Sequence, residues 1–377
     1  MINTLRDIFR INLGVKKHET VLIFNDKVLD GREISETDKE RILKLRCLSL
    51  FASEIGKSFC KSIILHEYPA TGRHGAEPPA ELWRLAFGEK AVEALKREQL
   101  LGPILKKTVD DIDIKKAEQI IEKYKKNAVD CVIALSNYST SHTRFRDFLT
   151  RICNCRYASM PLFDISMLEG AMNVNWQALL KRTKEIARVV NKAVSVELKT
   201  SNGTHLTFSK KGRKALSDTG ILTRPGSFGN LPAGEVFLAP VEGTANGKLI
   251  IEWAPTRKLE APISLTVMDG YVFDISGSEK YTEYLIEKIS ENKKNANIAE
   301  FGIGTNDAAK RPDNILESEK ILGTVHVALG DNSSFGGNVR TPFHQDFVFF
   351  KPTVALIDKS GNKKVILKSG RMLCQPN

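Results

Sequence analysis

The chain has 377 residues, of which 42% are hydrophobic and 27% charged, and its formal net charge is +11. That length holds two domains of ordinary size, and the composition excludes a disordered chain. No apolar run reaches the roughly 18 residues of a membrane span, and the amino terminus, M-I-N-T-L-R-D-I-F-R, mixes charge through its apolar residues, so neither an anchor nor a secretory signal is expected and the protein reads as cytoplasmic.

The first half alternates strand-like and helix-like segments. Val21–Phe24 is a short apolar run ending at Asn25-Asp26-Lys27, and a long amphipathic stretch from about Ile34 to Phe59 follows, with Ser35 and Thr37 as possible caps. Ser62–Leu65 reads as a second buried strand. Asp113 is placed to cap a helix whose Ile114, Ala117, Ile121 and Tyr124 recur at helical spacing. Val129–Leu135 is a third strand, running into Ser139-Thr140-Ser141-His142-Thr143, where His142 is read as a cap for the next helix, the alternative being a contact to substrate in the cleft. Tyr157–Met160 is a fourth strand, and a helix from about Trp176 to Ala193 closes this half. The pattern predicts an α/β domain with a Rossmann-like parallel sheet over residues 1–193. No G-x-G-x-x-G follows the first strand and no G-x-x-x-x-G-K-S/T occurs anywhere, which disfavours a nucleotide cofactor.

Beyond residue 194 the character changes. Val194–Lys199, Ser201-Asn202-Gly203 and His205–Phe208 read as a hairpin. Strand-like segments then recur (235–240, 248–253, 263–267), with one helix near Glu279–Asn292 and a last hairpin around Lys359-Ser360-Gly361-Asn362. Residues 194–377 are therefore expected to form a β-rich α+β domain.

The positive charge favours anionic ligands over long range. Its lysines and arginines, however, are mingled with 45 acidic residues, and runs such as Lys123-Tyr124-Lys125-Lys126 and Lys293-Lys294 fall on polar faces or ends of predicted helices. Nucleic acid is not the expected partner. The six cysteines are too scattered for a disulfide framework; Cys153 and Cys155 form a C-x-C pair with no second pair to complete a zinc set, and read as free thiols on one helix.

The segment Gly323–Phe347, G-T-V-H-V-A-L-G-D-N-S-S-F-G-G-N-V-R-T-P-F-H-Q-D-F, carries the chemistry. His344 and Asp346, two apart on a strand, project to the same side, and a Gly-rich connector turns the chain back towards His326. Glu235 opens one apolar strand and Glu300 sits inside another, positions where an unpaired charge is costly. Singly, each residue has an ordinary structural reading. Jointly, three carboxylates and two imidazoles suit two adjacent divalent ions, or one ion with a general base.

The motifs G-E-V-F-L-A-P, E-F-G-I-G-T-N, H-V-A-L-G and H-Q-D-F, in that order over roughly residues 229–355, resemble the aminopeptidase T family of metallopeptidases; a weaker echo lies in Ser141-His142-Thr143 and Ala158–Pro161. The resemblance implies metal ligands at Glu235, Glu300, His326, His344 and Asp346, one or two divalent ions (zinc, cobalt or manganese), short peptides as substrates and a homodimer enclosing the site. Glu300 would be a bridging ligand or base. The family's oxyanion-stabilising Tyr, seven residues after the first His, is here Ser333, which reaches less far; Asn332, Ser334 or Arg340 would have to serve as donor. On these grounds a metal-dependent aminopeptidase is the leading expectation. The same superfamily includes a ring-cleaving dioxygenase of dihydroxypyridine degradation that uses one ferrous ion held by two His and a carboxylate, which His326, His344 and Asp346 would match. A non-enzymatic binding protein, with the acidic cluster as a structural ion-pair network, is the third alternative.

Overall fold

A computed structural model describes residues 1–28 and 34–373; Cys374 lies outside them. The chain folds into two units, Met1–Asn173 with Gly220–Pro232, and Val174–Thr219 with Ala233–Asn377. No described helix is long and apolar enough to cross a membrane.

The first unit is an α/β layer around five parallel strands. Their order is Ser62–Pro69, Thr20–Lys27, Cys131–Ala134, Arg156–Ser159 and Phe228–Asn230. The strands Cys131–Ala134 and Arg156–Ser159 are wholly buried, the first of them apolar throughout, as expected of parallel strands covered on both faces. Leu22, Phe24, Val132 and Ala134 pack one sheet face against Trp83, Phe87, Val92, Leu95 and Ile121 of the covering helices. Ser35 caps the helix Glu36–Gly56 by accepting from the Asp38 N–H. The helix Asp111–Tyr124 is capped by Asp110 rather than Asp113, because Asp110 lies outside the first turn and accepts the Asp113 N–H. Likewise Thr143, not His142, caps the helix Arg144–Asp147, its hydroxyl accepting from the Arg146 N–H. Cys153 and Cys155 are free and do not share a helix: both follow the helical segment Phe148–Ile152 and lead into the fourth strand.

The second unit is β-rich. One sheet has eight antiparallel strands, ordered Tyr271–Ser276, Arg257–Met268, Asn246–Ala254, His205–Ser209, Ser195–Lys199, Thr353–Ile357, Lys363–Lys368 and Arg371–Met372. The expected hairpin is there, with Gly203 at φ +103° in its turn. A second, five-stranded antiparallel sheet has the order His344–Phe349, Val325–Gly330, Ile298–Gly304, Glu235–Leu238 and Leu216–Asp218. Both sheets contribute to one apolar core, Leu198, Phe208, Leu249 and Ile263 from the first meeting Val236, Phe301, Val327 and Phe347 from the second. The helix Trp176–Val190, which a boundary at residue 194 would assign to the first domain, places Ile186, Ala187 and Val190 in this core.

Candidate metal centre

The five-stranded sheet has two chemically distinct faces because side chains alternate along each strand. Val236, Leu238, Phe301, Ile303, Val325, Val327, Leu329, Phe347 and Phe349 point into the core. Register sets the opposite face: Glu235 lies across from Gly304, Gly302 from His326, and Ala328 from both Glu300 and Asp346, while His344 pairs with Gly330. Large polar groups thus alternate with glycine and alanine, and the small residues leave room for the polar ones to lean together. A Cβ at Gly302 would lie 2.0 Å from the His326 ring, so the imidazole reaches the carboxylates only by crossing that glycine. A Cβ at Gly304 would lie 2.0 Å from the Ile321 carbonyl oxygen. The second glycine of E-F-G-I-G-T-N therefore admits the segment bearing Glu319 and Lys320.

All five expected ligands converge. His326 Nε2 lies 3.3 Å from Glu235 Oε2 and 3.4 Å from Glu300 Oε1, and His344 Nε2 lies 3.4 Å from Glu300 Oε2 and 3.6 Å from Asp346 Oδ2. Donor atoms within 4.8 Å of one another form three overlapping sets: Glu235, Glu300 and His326; Glu300, His344 and Asp346; and Glu319, His326 and Asp346. His344 Nδ1 lies 2.8 Å from the Asp331 carbonyl oxygen, which makes that nitrogen the donor and turns Nε2 towards the carboxylates. Side-chain exposure is 15% at His344 and 18% at Asp346 but 1% at His326, so a small molecule would approach along the edge strand.

The charges are strongly coupled. Burial alone would lower the pKa of His326, but the hydrogen bond to Glu300 and the charges of Glu235 and Glu319 outweigh it and raise it to about 9. His344 is likewise raised, against burial, by Asp346 and Glu300. Burial works to raise the Glu300 pKa, yet the two imidazoles hold it well below the usual carboxylate range. The arrangement is that of buried anions collecting protons as substitute cations. The donor set of imidazole nitrogens and carboxylate oxygens fits a divalent ion, and the buried Glu235 Oε2 has no hydrogen-bond donor.

Ser333 and Arg340 are exposed. The Ser333 hydroxyl donates to Asp331, 3.1 Å from each carboxylate oxygen, and neither side chain pairs with any of the five. Two residues not anticipated from sequence complete the cluster. Lys320, fully buried, places Nζ 2.6 Å from both Glu235 Oε1 and Glu319 Oε1. Neither Glu319 nor Lys320 is among the residues expected from sequence; the apolar pairs Ile315-Leu316 and Ile321-Leu322 flanking E-S-E-K were the available signal.

The fold and this site define an α/β scaffold that carries a candidate divalent-metal site. The chain belongs to the 2,5-dihydroxypyridine 5,6-dioxygenase (NicX) family, whose model matches residues 92–373. Among solved structures, the fold is similar to that of the 2,5-dihydroxypyridine dioxygenase from Pseudomonas putida KT2440, with 16% identity, 99% of this chain and 97% of that one covered, and a TM-score of 0.69. It is also similar to AmpT from Thermus thermophilus, with 14% identity, coverage of 99% and 98%, and a TM-score of 0.59. At such identities these likenesses establish the fold alone. No curated protein matches the sequence. The expectation of an aminopeptidase, hydrolase and protease alike, is overturned by the family match, which is to dioxygenases. What the aminopeptidase T motifs captured was a shared fold.

Proposed function

We propose that this chain is a ring-cleaving dioxygenase acting on a small dihydroxylated aromatic ring of the 2,5-dihydroxypyridine type, with a single ferrous ion. The observation that carries the reading is the family match, which spans every residue of the cluster. His326, His344 and Asp346 would hold the ion, with Glu300 between the two imidazoles. Bound there, ferrous iron supplies the one-electron chemistry that lets dioxygen react with an electron-rich ring.

The protein's own groups position the site. The Asp331 carbonyl oxygen fixes the His344 ring. Burial works to raise the Glu319 pKa, against the pull of the Lys320 ammonium, whose Nζ lies 2.6 Å from Glu319 Oε1 and keeps that carboxylate as its partner. The apolar strands behind the cluster keep water from that side.

The test is oxygen consumption by anaerobically purified, Fe(II)-loaded protein given 2,5-dihydroxypyridine. Uptake that disappears in His344→Ala is the expected result. Iron-loaded protein that consumes no oxygen with any dihydroxylated ring would remove the proposal.

A further inference from the structure

The cluster has more negative charge than one divalent ion can balance. Glu235, Glu300, Glu319 and Asp346 lie within a few side chains of one another, and Asp218 pairs with Glu235 in strand register. The donor sets overlap in a way that offers places for two cations: one bounded by Glu300, His344 and Asp346, the other between Glu235 and Glu319, each of which shares a donor set with His326. The second place is already taken. Lys320 is 0% exposed, with its ammonium 2.6 Å from one oxygen of Glu235 and 2.6 Å from one oxygen of Glu319.

We infer that the Lys320 ammonium is a built-in second cation, which restricts this centre to one metal ion. The inference rests on the metal-centre reading above and adds to it the residue that sets the metal count. A buried ammonium is costly unless paired, and here two carboxylates that would otherwise be free to bridge a second ion supply the pairing. Nor is the lysine a mobile stand-in. Its carbonyl oxygen accepts from the Asn306 N–H at 2.8 Å, its own N–H donates to Glu317 at 2.9 Å, and Leu322 N–H donates back to Asn306 at 3.0 Å. Asn306 in turn lies two residues beyond the strand bearing Glu300, and Gly304 at the end of that strand permits the close approach of Ile321. A divalent ion entering between Glu235 and Glu319 would have to expel an ammonium whose backbone is clamped on both sides. Removing the charge while keeping the stem, as in Lys320→Met, leaves those two carboxylates uncompensated and open to a second ion.

Titration of the full-length, metal-stripped protein with Mn(II) tests this, reading bound equivalents by elemental analysis and ion–ion coupling by electron paramagnetic resonance. The wild type is expected to take one ion per chain with an uncoupled signal. Lys320→Met is expected to take two, with a spectrum broadened by exchange through shared carboxylates. Its thermal midpoint should also rise with Mn(II) by more than that of the wild type. Two ions per wild-type chain, or a single equivalent in folded Lys320→Met, overturns the assignment while leaving the metal centre in place. No bound ion in the wild type removes the metal-centre reading itself. Should Lys320→Met fail to fold even with Mn(II), Lys320→Gln takes its place, and the wild-type count decides independently.

Discussion

In the parallel-sheet unit, buried acids are met by backbone. Asp26 accepts from the Asn137 and Tyr138 N–H groups at 2.8 and 3.0 Å, and Glu77 accepts from Arg144 and Phe145 at 2.5 and 3.1 Å. Even the buried ion pair of that unit is closed: the Arg156 guanidinium donates to Glu19 and to the Leu13 and Gly14 carbonyl oxygens. In the antiparallel unit Glu235, Glu300 and Asp346 face imidazoles and an ammonium instead. Backbone donors are fixed dipoles that finish a structure, whereas charged side chains facing one another in excess leave a site that a cation completes. Burial of an acid is therefore no marker of function by itself; the identity of what faces it is.

The sharpest way to break this contrast is to remove a charge from the cluster. Glu300→Gln takes away the carboxylate that both imidazoles approach, and metal affinity should fall by at least about 100-fold, measured by competition with a chelator. Next in size is Gly302→Ala, which replaces no ligand. Its methyl would sit 2.0 Å from the His326 ring and force it aside. Metal affinity should drop by about 10- to 100-fold, as for loss of a group that orients a ligand, while circular dichroism shows the fold retained. Unchanged affinity would mean that His326 does not bind across that glycine.

How far these features could be read from sequence follows the same division. The strands Thr20–Lys27 and Cys131–Ala134 show as short apolar runs because both their faces are covered. The shared side of His344 and Asp346 follows from strand periodicity alone. Asn202-Gly203 announces its hairpin through a positive φ that glycine tolerates. The eight-stranded sheet is less legible, since Thr353–Ile357 pairs with Ser195–Lys199 across more than a hundred residues and no local pattern encodes that partner. Lys320 is hidden for a related reason: its burial depends on the clamp to Asn306, a tertiary contact, while its neighbours Glu317 and Glu319 make it look solvated. Asp110 was missed as a cap because Asp110, Asp111 and Asp113 all have the right chemistry and only geometry chooses among them.

A smaller effect tests the backbone-met acids of the parallel-sheet unit. Burial lifts the Glu77 pKa from 4.5 to about 7, despite two backbone hydrogen bonds that favour the anion, and lifts Asp26 from 3.8 to about 6. Between these limits the folded chain holds protons that the unfolded chain releases, so unfolding free energy falls as pH rises. The contribution is fully present below about pH 4.5 for Glu77 and is lost as pH climbs through 7. Replacing Glu77 with Gln should flatten this limb, by up to about 3 kcal/mol for a shift of that size. The check is the difference in urea midpoint between wild type and variant at pH 5 and pH 8. A difference that does not change with pH would show that Glu77 is ionised throughout.

The smallest effect belongs to a residue from the site's own loop. Ser333→Ala removes a hydroxyl that donates to Asp331, but the Asp331 carboxylate keeps the N–H groups of Ser333 and Thr341, at 3.1 and 3.0 Å. The loop therefore retains its anchor, and the Asp331 carbonyl that orients His344 should not shift. Stability should change by less than about 0.5 kcal/mol, as for an exposed substitution, and metal affinity by less than about twofold, since the ligands and the Asp331 carbonyl that orients them stay in place. A large loss of oxygen uptake with metal affinity intact would instead place the Ser333 hydroxyl on the substrate, and the protein would then hold a third kind of polar group, one satisfied within the fold at rest and recruited only when the ring binds.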